Sequence, residues 1–387
     1  MLKHILTLIW NRKGKNALII AEIFFAFLIL FSVLTFVLYN LNNYREPLGF
    51  ETDQLWLSHL NFEGRDSLEV VQAKINLKQN LQAHPNIEGV AFSWSSSPFG
   101  NSQSMYGSDD NGFLIRSDLY RADVDFKEVA DVNIVAGRWF QEEDDQAKYP
   151  PIIINKKLHE KYFDSKPVLD SIYKIGKERK IIGIVDHFKY RGQFDEEVPL
   201  SFIYSPKEAE NSNTIYFRLK EGVGVEFEEE LTNTVAQLGK FDDVFIEQIE
   251  NRRQYKNKSV WIPMVALLSI CGFLIFNVAL GLFGVLWYNI SKRKAEIGLR
   301  RVLGAYRSSI AQQFILEILL IALIGILLGA LFGVQVPLLS AIDIDPIYFY
   351  QAIGLAAALI LTLVIICALY PSQQAASIAP AAALHEE

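Results

Sequence analysis

The sequence predicts an α-helical membrane protein with four transmembrane helices and one α+β extracytoplasmic domain. Three observations carry this. Composition is 51% hydrophobic and 21% charged, with mean hydropathy +0.17, too apolar for a plain soluble chain and too charged for a wholly embedded one. Four apolar stretches, 17–39, 261–288, 312–336 and 347–370, reach the roughly 20 residues that cross a bilayer core. Between the first two lies a water-compatible stretch, 40–258, whose 37 acids outnumber its 27 Lys and Arg.

Orientation follows from cations beside the spans. Residues 1–16 carry Lys3, Arg12, Lys13 and Lys15 with no acid. The loop 289–311 carries Lys292, Arg293, Lys294, Arg300, Arg301 and Arg307 against Glu296. Both are therefore expected in the cytosol, with 40–258 and the short loop near Asp343 and Asp345 outside and the tail, 371–387, inside. The apolar spans call for a membrane, and a net charge of −7 gives no sign of a nucleic-acid partner. The first span lacks a small-x-small cleavage site and is expected to be retained. Before it, Leu2, Ile5, Leu6, Leu8 and Ile9 alternate with polar residues, which predicts an amphipathic helix over 1–16 on the inner leaflet.

The outer domain repeats one pattern. Over 53–98, DQLWLSHL places Leu55, Leu57 and His59 on one strand face with Trp56 opposite. A helix follows with Leu68, Val71, Ile75, Leu77 and Leu81, stopped by Pro85, and then the β-rich IEGVAFSW. Over 214–250 a strand, a helix with Phe227, Leu231, Val235 and Leu238, and a second strand follow in turn. Two such βαβ units make a split, ferredoxin-like layer. The stretch 99–205 reads as an inserted, mainly β subdomain. Its start, FGNSQSMYGSDDNG, reads as loop, and PIIIN and KIIGIVDHF read as buried strands.

No catalytic constellation is present: no P-loop, no G-x-S-x-G elbow, no H-E-x-x-H. Neither a resident cofactor nor a metal is expected on this chain. Cys271 and Cys367 both lie in apolar runs and make no disulfide framework. Asp186–His187 is an adjacent acid–imidazole pair, and neighbours on a strand point to opposite faces, so a turn after a strand is expected there. Polar groups in the spans are better candidates. For Glu22 and Glu317 two readings stand, a polar contact that sets span packing or a side chain snorkelling to the interface. Asn277 is expected to bond across helices. Gly325, Gly329 and Gly333 recur every fourth residue, a stripe for close helix approach that Gly281 and Gly284 are expected to face.

Residues 292–333, KRKAEIGLRRVLGAYRSSIAQQFILEILLIALIGILLGALFG, resemble the FtsX-like permease family. The match runs in order through Glu296, Ile297, Gly298, Arg301, Leu303, Gly304, Ala305, Phe314 and Glu317, with Val302 in place of the usual Ala. AGRWF (136–140), PIIINKKLHEKYF (151–163), IIGIVDHFKYRGQFDEEVPLSFIY (181–204) and the tail YPSQQAASIAPAAAL (370–384) are similar to the macrolide exporter MacB and its relatives. The resemblance implies a porter-type outer domain and a permease of an ABC transporter. It implies that ATP and Mg bind a separate cytosolic ABC ATPase, since MacB carries its ATPase ahead of the first span and this sequence begins at that span. It implies a second permease, in a homo- or heterodimer, and an inner-membrane location. The loop 289–311 would then be the coupling element, through Lys292, Arg293, Glu296, Gly298, Arg300, Arg301, Gly304, Ala305 and Arg307. Relatives leave three uses open: efflux with a periplasmic adaptor, control of a cell-wall hydrolase, and lipoprotein release.

Overall fold

The computed structural model describes residues 13–94, 97–101, 104–110, 113–164, 166–175, 177–204, 213–340, 342 and 344–377. Most of the expected surface helix over 1–16, and the tail from 378 onward, lie outside the described residues. The chain divides into two compact units, Met1–Leu41 with Trp261–Glu387, and Asn42–Val260.

Helix α1 runs Lys13–Arg45. The second unit then opens with β1 (Leu55–His59), α2 (Ser67–Gln82) and β2 (Ile87–Trp94). Asp66 caps α2 by accepting from the Glu69 N–H at 2.8 Å. The inserted stretch supplies β3 (Met105–Asp110), β4 (Phe113–Ala122), α3 (Phe126–Ala130), β5 (Ile134–Gly137), β6 (Pro151–Asn155), α4 (Lys156–Phe163), β7 (Ile172–Ile175), β8 (Lys177–Val185) and β9 (Leu200–Ile203). The second βαβ half follows as β10 (Thr214–Leu219), α5 (Phe227–Gly239) and β11 (Ile246–Gln248).

The two βαβ halves interleave in the order β11-β1-β10-β2, antiparallel at each step, which is the ferredoxin-like arrangement. The inserted strands continue the same sheet, β2 pairing β4 through Ser93↔Ala122 and Trp94↔Arg121, then β9, β6, β8 and β5. Without β4, β2 would be an open edge. The segment read as loop at 99–112 contains β3, a hairpin partner of β4: backbone pairing overrides the low strand propensity of Gly, Ser and Asp.

Strand alternation sorts the core. Trp56 packs with Leu77, Leu81, Phe217, Leu231 and Val235 beneath α2 and α5. Leu55 and Leu57 face the other way, toward Tyr120, Phe126, Phe188, Phe202 and Tyr216. On α2 the buried stripe is Val70, Lys74, Leu77 and Leu81, while Leu68 and Ile75 face solvent. Leu77 and Leu81 set the inward face, and the Lys74 stem follows them with its ammonium over the Phe62 and Phe92 rings.

The other unit is helical: the membrane part of α1, α6 (Ile249–Lys292), α7 (Lys294–Val302), α8 (Arg307–Leu338) and α9 (Pro346–Ser377). Among the described residues, helices α1, α6, α8 and α9 are the four that are long and apolar enough to cross a membrane. On α9, Ala352, Ala356, Ile360, Val364 and Ala368 form a buried stripe. The glycine stripe of α8 packs on α1: a side chain on Gly325 would meet Ile23 and the Ile20 carbonyl, and one on Gly329 would strike the Phe27 ring at 2.4 Å. Gly333 lies against Ile353 and Phe31. The expected partners on α6 are not there. Gly284 faces open space, and Gly281 lies against the Glu22 carboxylate, 2.8 Å from where a Cβ would sit. The bulk of Ile23 and Phe27 needs the glycine trough, whereas two glycine faces would leave a void. Among the described residues, Asn277 likewise bonds no other helix. Its amide donates to the Phe273 carbonyl one turn back at 2.8 Å, which satisfies one donor without a neighbour.

Candidate functional site

The loop between α6 and α8 is a folded elbow. Helix α6 breaks at Arg293, and α7 restarts one residue later. Its end is closed by a Schellman pair: Ala305 N–H donates to the Arg300 carbonyl at 3.0 Å, and Gly304 N–H to the Arg301 carbonyl at 3.2 Å. That closure needs a left-handed residue, and Gly304 has φ +93°. Beneath, Ile297 packs with Ile290, Ile310, Phe314 and Ala375, so α7 sits on the ends of α6, α8 and α9.

The cations of the elbow do not form one outward face. Arg293, grouped above with the coupling residues, is buried. Its guanidinium grips Glu317 of α8 through two bonds of 2.9 and 3.3 Å and lies over the Phe314 ring. Of the two readings of Glu317 this arrangement favours the packing one, because a carboxylate beside a buried guanidinium is satisfied there rather than in water. Arg300 is turned along the elbow, to Gln313 at 2.7 Å and Glu296 at 2.6 Å. Arg301 donates to the Ala305 carbonyl at 3.3 Å. Gly298 is buried, while Lys292 and Arg307 are exposed at the two ends.

What the elbow presents instead is apolar. Leu299, Val302, Leu303 and Tyr306 are 53%, 57%, 78% and 80% exposed. Leu299, Val302 and Leu303 follow helical spacing to the end of α7, and Tyr306 stands in the turn after Gly304, at the start of α8.

A second cluster, in the unit of residues 42–260, holds the end of α1. Lys189 has a side chain only 1% exposed. Its ammonium donates to the Asn43 carbonyl at 2.6 Å and the Gln193 carbonyl at 3.1 Å, and pairs Glu46 at 3.3 Å. Burial lowers its pKa, and Glu46 counters that. The Asn43 amide donates to the Phe194 carbonyl, and Asn257 of α6 donates to Gln193. The same loop reaches the sheet, where Tyr190 and Arg191 both donate to Asp118 of β4, the latter through bonds of 2.7 and 2.6 Å. No sequence motif marks Lys189, because its carbonyl partners are main chain.

Asp186 and His187 lie just past β8 and do approach, at 3.7 Å, with the His187 ring bonded more closely to Glu197 at 2.6 Å. Glu197 also accepts from the Asn155 amide and the Phe188 N–H, so the group braces a turn. Among the described residues, no cluster of His, Cys, Asp or Glu could hold a metal ion.

The FtsX-like permease C-terminal family matches residues 268–380, and the MacB-like periplasmic core domain family matches residues 20–234, more than half of the chain. The macrolide export ATP-binding/permease protein MacB of Neisseria meningitidis is 24% identical over 225 residues, covering 56% of this chain and 34% of that protein. Its counterpart in Rhodopseudomonas palustris is 25% identical over 354 residues, covering 84% and 51%. The chain thus spans about a third to a half of these relatives. The periplasmic region of MacB from Actinobacillus actinomycetemcomitans superposes with a TM-score of 0.37 at 16% identity, over 55% of this chain and 96% of that one. With the periplasmic core followed by the permease C-terminal part on one chain, the protein belongs to the MacB-like, FtsX-like family of ABC transporter permeases.

Proposed function

We propose that the chain is the permease subunit of a MacB-type transporter, relaying motion from a separate cytosolic ATPase to a periplasmic domain that drives export. The observation that carries this is the elbow. A short helix, closed by Gly304 and anchored through Arg293–Glu317, exposes the apolar side chains of Leu299, Val302 and Leu303, with Tyr306 exposed in the turn that follows. A rigid patch of that kind suits a partner's groove. Two helices, α1 and α6, run unbroken from the spans into the other unit, which supports transmission along them. In this reading the elbow and both termini face the cytosol, the membrane is the inner one, and a second permease completes the assembly. ATP and Mg belong to the ATPase.

The test is affinity purification of the full chain from its native membrane, followed by identification of any co-purifying protein with a P-loop. Wild-type chain is expected to retain an ATPase that Leu303→Asp with Tyr306→Ser loses. A stably folded chain that recruits none, or retains it regardless of these changes, overturns the reading.

A further inference from the structure

A cleft of about 620 Å³ lies within the unit of residues 42–260, and its geometry describes a ligand. Its size is that of an ordinary ligand site. One wall is β11, and all three of its residues, Ile246, Glu247 and Gln248, line it. Successive strand residues point to opposite faces, so a cleft touched by three in a row runs along the strand's open edge. β11 ends the sheet, with β1 as its neighbour on the other side. Main-chain groups alternate in direction along an antiparallel strand, so β11 turns the N–H or C=O groups of alternate residues away from β1, toward the cleft.

The facing wall is one side of α6, from Asn251 through Tyr255 to Ser259. The eight steps from Asn251 to Ser259 at 1.5 Å rise make it about 12 Å long, the span of three to four residues of extended chain at about 3.3 Å each. Three carboxamides border the space, Asn101, Gln248 and Asn251. The Asn251 amide donates to the Gln248 side-chain oxygen at 3.2 Å, and the Asn251 oxygen is an acceptor for a peptide N–H. The walls are fixed in advance: Arg252 donates to Glu247 of β11 and to the Ser97 hydroxyl at 2.7 Å. Tyr255, 81% exposed, stands at the rim as an aromatic contact for a side chain.

We propose that this cleft binds an extended segment of a partner polypeptide, three to four residues long, which adds to the edge of β11 as a further strand. The recognition is of main chain, so it tolerates many side chains. It stands independently of the ATPase reading.

Full-length protein in nanodiscs would be used to select from a random heptapeptide library, acetylated and amidated, against empty nanodiscs. Selected peptides are expected to slow hydrogen exchange in 246–248 and to lose about tenfold or more in affinity when alternate main-chain nitrogens are methylated. Asn251→Ala is expected to weaken them about three- to tenfold, the loss of one hydrogen bond, with exchange in β10 unchanged as evidence of an intact sheet. No enrichment over empty nanodiscs, protection elsewhere than β11, or indifference to N-methylation each overturns the proposal.

Discussion

The Lys189 ammonium, buried beneath the loop that follows β8, donates to the main-chain carbonyl of Asn43 in the last turn of α1. A cation at that end of a helix meets unsatisfied carbonyls and the negative pole of the helix. Lys189→Met keeps the stem and deletes the donors, leaving the Asn43 and Gln193 carbonyls short of a partner. The expected cost is about 1–3 kcal/mol. Hydrogen exchange should accelerate in 40–46 and 189–194, with β10 unaffected. Equal protection in wild type and variant would remove Lys189 from this role.

Glu317→Ala leaves the Arg293 guanidinium buried without its carboxylate, and such a break costs about 3–5 kcal/mol. The thermal midpoint of the detergent-solubilised chain should fall clearly. Arg293→Met combined with Glu317→Leu removes both charges and should recover most of the loss. If the double variant melts no higher than the single one, the pair is not what holds α6 to α8.

Gly329 and Gly284 are the same residue type in opposite settings. Gly329→Leu drives a side chain into Phe27, an overpacking expected to cost about 1–3 kcal/mol. Gly284→Leu meets open space in the single chain. Melting both variants in detergent separates the two cases. A Gly284→Leu loss as large as that of Gly329→Leu would show that something covers the Gly284 face.

Asp123 supplies a pH dependence. Burial pushes its carboxyl up to about 7, against the pull of Lys78 and of the Phe92 and Phe126 N–H donors. Between the ordinary carboxylate range and about 7 the folded unit therefore holds a proton that the unfolded chain has released. Stability declines as pH rises through that window and levels off above it. The urea midpoint of the extramembrane transition should show this slope in wild type and lose it in Asp123→Asn. A wild-type slope of opposite sign would refute the assignment.

Much of the architecture was legible because it is local. Twenty-residue apolar runs declare spans, and the alternation of Leu55, Trp56 and Leu57 declares a strand with two buried faces. The glycine stripe of α8 declared that something packs there. What packs there was not legible, since Phe27 and Gly281 both lie within apolar runs and only their volumes decide. Charge was the least transparent signal. Six cations around 292–307 are equally consistent with topology, a surface or a core, and the difference for Arg293 lies in Glu317, 24 positions away. Asn277 shows the same limit from the other side: a polar group in a span can satisfy itself one turn back.

Because the elbow spends Arg293 and Arg300 on its own folding, little of its outward face depends on ionic attraction. Contact through Leu299, Val302, Leu303 and Tyr306 would strengthen rather than weaken as sulfate or phosphate is raised. It would also loosen on chilling, as apolar association does. Cold, low-salt buffers, the habitual choice for preserving fragile assemblies, are therefore the conditions under which a companion seated on this face would be lost.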